Sequence, residues 1–300
     1  MSSIADRQEL GRKVSVSGMS EIGPLKRPLP AGRTLEELWN HFQVEKALAA
    51  SLKRADHAER RAIYETMYDE LLRRVPDHPR LTRKEPPPSI ALVHESRLSL
   101  IGNLLQPDTI VLEFGPGDCS FAATLAPRVR YVYGIDISDQ RAPGAPSPDN
   151  FALVVYDGYD TNAIAADSVD LVFSDQLIEH FHPEDTEQHL QLAHRLLKKG
   201  GRYVLRTPHR LSGPHDISAF FSDEPLGFHL KEWTYREMAG LLQAAGYSRW
   251  HGCWCAKGRK VDLPFAYFVF WERLLGALPK ARARTIAARL MREIVVVAQK

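Results

Sequence analysis

The stretch Leu112–Phe121, L-E-F-G-P-G-D-C-S-F, decides the fold. Gly115 and Gly117 stand one residue apart, directly after the apolar run T-I-V-L-E-F, with Glu113 two residues ahead of the first glycine. A glycine has no β-carbon, so a ligand can lie against the backbone there. The run reads as a strand, and G-P-G-D-C as the turn into a helix starting near Asp118 that offers free N–H groups. Open α/β sheets bind ligands beyond the carboxyl ends of their strands, where the strand order reverses.

Working outward, the same unit recurs. R-Y-V-Y-G-I-D, F-A-L-V-V-Y-D, V-D-L-V-F-S-D and G-R-Y-V-L-R-T are short, mostly apolar runs separated by helical stretches. Such runs suit strands covered on both faces. Pro183 opens and Gly200 closes a long helix, and Thr234 with Glu237 caps another that ends at Gly246. Residues 89–256 therefore read as a doubly wound α/β domain. Residues 34–88 read as a helical cap and a proline-rich link. Thr34/Glu37 and Asp56/Glu59 are capping boxes, Leu35, Leu38, Trp39 and Phe42 follow at helical spacing, and Tyr64, Met67, Tyr68 and Leu71 belong to a second apolar stripe. Residues 1–33 read as a loose tail. Residues 257–300 read as a basic, aromatic helical extension, with a last helix marked by Ile286, Leu290 and Ile294.

Composition sets the class. Apolar residues make up 44% and charged residues 25% of the 300, ordinary values for a globular protein. No apolar run reaches the roughly 18 residues needed to span a bilayer. M-S-S-I-A-D-R-Q-E-L lacks the apolar core of a signal peptide, and three cysteines do not make a disulfide scaffold. These features point to a reduced, cytoplasmic enzyme. The net charge of +2 hides +7 on Lys257–Lys300 and −5 on the remainder. That basic, aromatic end either packs on its own body or makes peripheral contact with a membrane.

A dinucleotide requires G-x-G-x-x-G, but Ser120 stands where the third glycine belongs. The Glu113 carboxylate would also repel a pyrophosphate, whereas it would welcome an ammonium group. L-E-F-G-P-G-D-C resembles the first motif of class I S-adenosylmethionine-dependent methyltransferases, with Cys119 at the last glycine position of G-x-G-x-G. Y-V-Y-G-I-D-I-S resembles the second motif, with Asp136 placed to accept the ribose hydroxyls. Y-D-G resembles the adenine contact through Asp157. S-D-Q-L-I-E-H-F resembles the wall beneath the methyl donor, and the segments K-K-G-G-R-Y-V-L and H-L-K-E-W-T-Y-R-E-M-A-G-L-L-Q-A-A-G-Y resemble the last strands and helix of the small-molecule branch.

The resemblance implies a Rossmann-like, seven-stranded sheet with N- and C-terminal helical additions. It implies S-adenosyl-L-methionine held by Glu113, Phe114, Gly115, Pro116, Gly117, Asp136, Ile137, Asp157, Gly158, Ser174 and Gln176. Transfer from a sulfonium is an in-line displacement, so alignment does most of the work. A hydroxyl acceptor also has to lose a proton, for which His180, His215 and His209 are candidates. Some related O-methyltransferases hold a divalent cation on E-x-x-E-H. Gln176 replaces the first acid here, so no metal is expected. Cys253-Trp254-Cys255 lacks a second ligand pair and reads as core.

The expected function is methylation, on oxygen, of a small metabolite, glycan or lipid-linked acceptor. A nucleic-acid substrate is disfavoured because no N-P-P-Y-like motif is present. The alternatives are an NAD-dependent oxidoreductase and a non-catalytic binding protein on a methyltransferase fold.

Overall fold

The computed structural model describes residues 22–82, 87–142, 144–145, 147–256 and 259–300. Most of the strands are the apolar runs of the sequence: β1 (Ile110–Phe114), β2 (Tyr131–Asp136), β3 (Phe151–Val155), β4 (Val169–Asp175), β5 (Leu197–Pro208), β6 (Arg249–Ala256), β7 (Arg259–Leu263) and β8 (Glu293–Gln299). They form one sheet in the order β3-β2-β1-β4-β5-β8-β6-β7. The first five strands pair in parallel, and β8 runs antiparallel between β5 and β6. Strand order reverses between β1 and β4, so the glycine turn after β1 sits at the switch point.

The doubly wound α/β sheet expected from the sequence is the one observed. Among the described residues it has eight strands rather than seven, because β7 adds one more edge strand, antiparallel to β6. The C-terminal segment also differs from the helical addition expected. It contains α8 (Phe265–Gly276) and α9 (Lys280–Leu290), but β7 and β8 belong to the sheet. Ile294, read as helical with Ile286 and Leu290, pairs with Thr207 in the sheet. E-I-V-V-V-A-Q is β-branched and buried on both faces, which favours a central strand over a surface helix.

The N-terminal helices α1 (Leu35–Arg54) and α2 (His57–Arg74) start at the two capping boxes, both fully formed. The short α3 (Pro79–Thr82) follows, and then the 15-residue α4 (Pro87–Ile101) beside the sheet. α5 (Ser120–Leu125) follows β1, α6 (Pro183–Leu196) links β4 to β5, and α7 (Tyr235–Ala244) precedes β6. The loose tail expected over residues 1–33 lies outside the described residues up to position 21. The remainder is pinned to the body: Lys26 N–H donates to the Phe220 carbonyl at 3.0 Å, and Arg33 Nε to Asp77 at 2.8 Å.

A buried ion pair clamps the N-terminal cap onto the sheet domain. Arg60 of α2 grips Asp185 of α6 with two bonds, at 2.9 and 2.7 Å. Tyr64 and Tyr159 hydroxyls donate to the same carboxylate, each at 3.2 Å. Both ends of the pair are buried, so removing one partner strands the other charge. Arg60→Met is expected to cost about 3–5 kcal/mol in denaturant unfolding, and an unchanged midpoint would show that the clamp contributes nothing.

Candidate functional site

The carboxyl ends of β1, β2 and β4 open into a cleft roofed by α2. Gly115 and Gly117 form its floor with φ of +65° and +58°, the left-handed region that favours glycine. A β-carbon at Gly115 would come 3.0 Å from Leu177 Cδ1, whereas nothing lies within 4 Å of the corresponding point at Gly117. Cys119 is also left-handed, at φ +62°, which explains why a glycine would suit that position.

Asp136 closes β2 and faces the cleft. Its Oδ2 accepts the Gly117 N–H at 3.1 Å, and Oδ1 accepts the Ile137 N–H at 2.8 Å. Burial raises its pKa, and these backbone donors oppose the rise. Oδ2 retains acceptor capacity, because a carboxylate oxygen takes two hydrogen bonds. Gly158 and Ile137 line the cleft beside it.

The other candidates separate. Asp157 accepts from Tyr159 and Asp160 N–H groups at 2.9 and 3.1 Å and pairs with Arg61 at 3.2 Å, outside the cleft lining. Ser174 is buried against the Tyr203 hydroxyl at 2.7 Å, and Phe114 packs edge-on to His189. Pro116 packs towards Gly134 of β2, where a β-carbon would come 3.1 Å from its ring. Gln176 reaches the cleft from a left-handed backbone, φ +56°.

Glu113 lies just behind the floor, 2% exposed. Its nearest cation is Arg97 of α4, 3.7 Å away, and its Oε2 has no partner. Arg97 also donates to Asp175 at 2.8 Å, as does Arg206 at 2.6 and 2.8 Å. Burial pushes Glu113 up to about 7, against the pull of Arg97.

Of the three candidate histidines only His180 reaches the cleft. Its Nδ1 meets the Phe228 carbonyl at 3.0 Å, so Nδ1 carries the proton and Nε2 is an acceptor. Burial, then the nearby His229, lower its pKa to about 4, which keeps the ring neutral. His209 is fully buried between Glu272 and the Leu211 N–H, a structural bracket for α8. His215 is held by Glu232 and Ser212, and neither histidine lines the cleft.

Three residues of the cleft were legible only as packing. Tyr64, Met67 and Tyr68, read as an apolar helix stripe, form the roof, and Arg80 of α3 lines it over the Tyr68 ring at 5.6 Å. Nothing in the i, i+3, i+4 spacing distinguishes a roof from a core face.

One cluster was not expected. Glu179, His180 and His229 each bring a ligand atom within 4.8 Å of the others. Glu179 Oε2 accepts from Thr207 at 2.9 Å, while Oε1 is buried without a partner. His229 Nδ1 is fixed by Glu232 at 2.8 Å.

Residues 112–205 match a family model described as a methyltransferase domain. Over 141 residues the chain is 29% identical to a Mycolicibacterium smegmatis protein named "Probable S-adenosylmethionine-dependent methyltransferase", covering 46% of this chain and 51% of that protein. The chain thus spans about half the length of the curated relative it matches. Among solved structures, an Archaeoglobus fulgidus SAM-dependent methyltransferase is 18% identical with a TM-score of 0.48, covering 70% of this chain and 94% of that one. A Haemonchus contortus phosphoethanolamine N-methyltransferase 2 in complex with S-adenosyl-L-methionine is 16% identical with a TM-score of 0.47, covering 68% and 52%. The strand order and the glycine turn define the class I methyltransferase fold here. Residues 112–205 thus carry a methyltransferase domain, and the chain is similar to a protein named for its S-adenosylmethionine dependence.

The residues present fit S-adenosylmethionine. The floor at Gly117 is open, Asp136 has acceptor capacity to spare, and Glu113 keeps an orphaned oxygen just behind the floor. Asp136→Ala is expected to weaken S-adenosylmethionine binding by about 2–3 kcal/mol in calorimetry, and equal affinity would remove the residue from the site. Glu113 supplies a pH signature. Its folded pKa lies above the ordinary glutamate value, so the folded chain binds the extra proton, and stability falls as pH rises from about 4.5 to about 7. Glu113→Gln should lose that component: its stability relative to the parent, measured by denaturation, should improve over this window. A difference that stays flat with pH would refute the assignment.

Proposed function

We propose that this chain transfers a methyl group from S-adenosyl-L-methionine to an oxygen of a small acceptor, by in-line displacement. The observation that carries this reading is a second chamber adjoining the donor cleft, with Tyr68 and His180 in the wall of both. It is lined by apolar Leu38, Leu71 and Phe228 and by polar His41, Glu45 and Asp216. A small, partly apolar molecule with a few hydrogen-bonding groups suits such a lining.

The donor sulfonium is already activated. The protein's part is to lay the donor on the glycine floor, hold its ribose on Asp136, and bring the acceptor to the shared wall. Such alignment supplies roughly 7–11 kcal/mol of a barrier. The Nε2 acceptor of His180 supports a role in orienting an acceptor hydroxyl. A ring with pKa about 4 is a weak base near neutrality, so positioning outweighs proton abstraction in its contribution.

The orphaned Glu179 oxygen favours a second reading of the same corner. Glu179, His180 and His229 fit a divalent first-row cation, whose ligands are neutral imidazoles and carboxylates. Such an ion would lower the pKa of an acceptor hydroxyl.

One set of measurements tests both. Labelled S-adenosylmethionine with candidate acceptors, followed by mass spectrometry, identifies the product. His180→Ala should lower kcat about 10²-fold or more while donor affinity holds. Unchanged kcat removes His180 from either reading. Elemental analysis separates them: a stoichiometric divalent metal that Glu179→Gln loses selects the second.

A further inference from the structure

Helix α8 breaks the rule that an amphipathic helix turns its polar side to water. Its inward line is Phe265, Phe268, Glu272 and Leu275, all buried. Phe268 packs over Gly252 of β6, where a β-carbon would come 2.4 Å from its ring. The opposite line is equally apolar: Tyr267, Phe270 and Leu274 are 42%, 60% and 48% exposed. A helix apolar all round is ordinarily buried on all sides. Beside it, on the Gly252 face of the edge hairpin, Trp254 and Val261 oppose each other across the strands and are 36% and 45% exposed. Five of the exposed large apolar side chains among the described residues therefore sit on α8 and its neighbouring hairpin.

Among the described residues, the exposed charges along α8 and at the end of α9 that lack a partner have one sign. From Pro264 to Met291 the only acid is Glu272. That carboxylate is turned inward, bonded to His209 at 2.8 Å and to the Arg236 N–H at 3.2 Å. The bases face out. Arg273, Arg289 and Arg292 are exposed, and among the described residues their side chains make no hydrogen bond or ion pair. A second copy docked here about a two-fold axis would set these unpaired arginines against their own copies. An anionic surface is the complement.

We propose that the outer face of α8, with Trp254 and Val261, seats the protein on an anionic lipid bilayer. The helix lies in the interface plane, Tyr267, Phe270 and Leu274 enter the headgroup boundary, and the arginines meet lipid phosphates. At 12 residues it is about 18 Å long, too short to cross a core of about 30 Å. Among the described residues no helix is long and apolar enough to cross a membrane, so attachment is by surface contact.

The test uses the full chain with two vesicle types, phosphatidylcholine alone and phosphatidylcholine with phosphatidylglycerol. The chain should sediment with the phosphatidylglycerol vesicles, less so as salt rises. Phe270→Ser with Leu274→Ser should weaken this about tenfold or more, and Arg273→Glu with Arg289→Glu should abolish it. Both pairs are exposed, so an unchanged melting temperature and unchanged S-adenosylmethionine affinity confirm that the variants are folded. No binding to anionic vesicles overturns the proposal. So does binding that the apolar variant leaves intact, or a parent dimer that the apolar variant converts to monomer, which would mark a second copy as the occupant.

Discussion

The site depends on one carboxylate holding one glycine. Asp136, at the end of β2, takes the Gly117 N–H on one oxygen and the Ile137 N–H on the other. The Gly115 N–H is bonded to the Ile135 carbonyl at 2.8 Å, so the turn after β1 is laced to the neighbouring strand at two points. Both glycines are left-handed, a conformation that costs a side-chain-bearing residue roughly 1–2 kcal/mol. The turn is therefore rigid and bare, and the acid that fixes it is also the one that faces the cleft.

A second set of charges fixes the far side of the turn. Asp175 ends β4 and receives guanidinium groups from Arg97 of α4 and Arg206 of β5. Burial alone would raise its pKa, but the two cations outweigh it and hold the carboxylate ionised. Glu113 has only Arg97 nearby, and burial prevails. Two acids in one neighbourhood are thus driven in opposite directions by the number of cations each can reach. Arg60 and Asp185 repeat the principle at the cap, where a buried pair with two tyrosine donors anchors α2 over the cleft. Roof, floor and wall are each set by a desolvated charge with a dedicated partner.

The apolar outer face of α8 stands in contrast, since nothing in the described chain covers it. Its inward neighbour Glu272 spends its charge on the start of α7 and on His209. That is why a histidine which looked catalytic in the sequence is a bracket for the C-terminal helix.

Short-range patterns along the chain are enough to read the parallel strands, the glycine turn, Asp136 at the end of β2 and the three capping boxes. Each is signalled by neighbours within a few residues: a short apolar run, a φ that suits glycine, a side chain that reaches a backbone N–H three positions on. The folded chain settles everything that long-range packing sets. It inserted Glu293–Gln299 between β5 and β6, because a run buried on both faces needs two strand partners. It turned Tyr64, Met67 and Tyr68 from an apolar stripe into a roof, and sent Asp157 and Ser174 to partners away from the cleft. It also drew Glu179, His180 and His229 into one corner from two loops about fifty residues apart in the chain. Local chemistry writes a turn or a cap into adjacent residues, but which side chains share a cavity depends on how distant segments close over one another, and no short-range pattern carries that information.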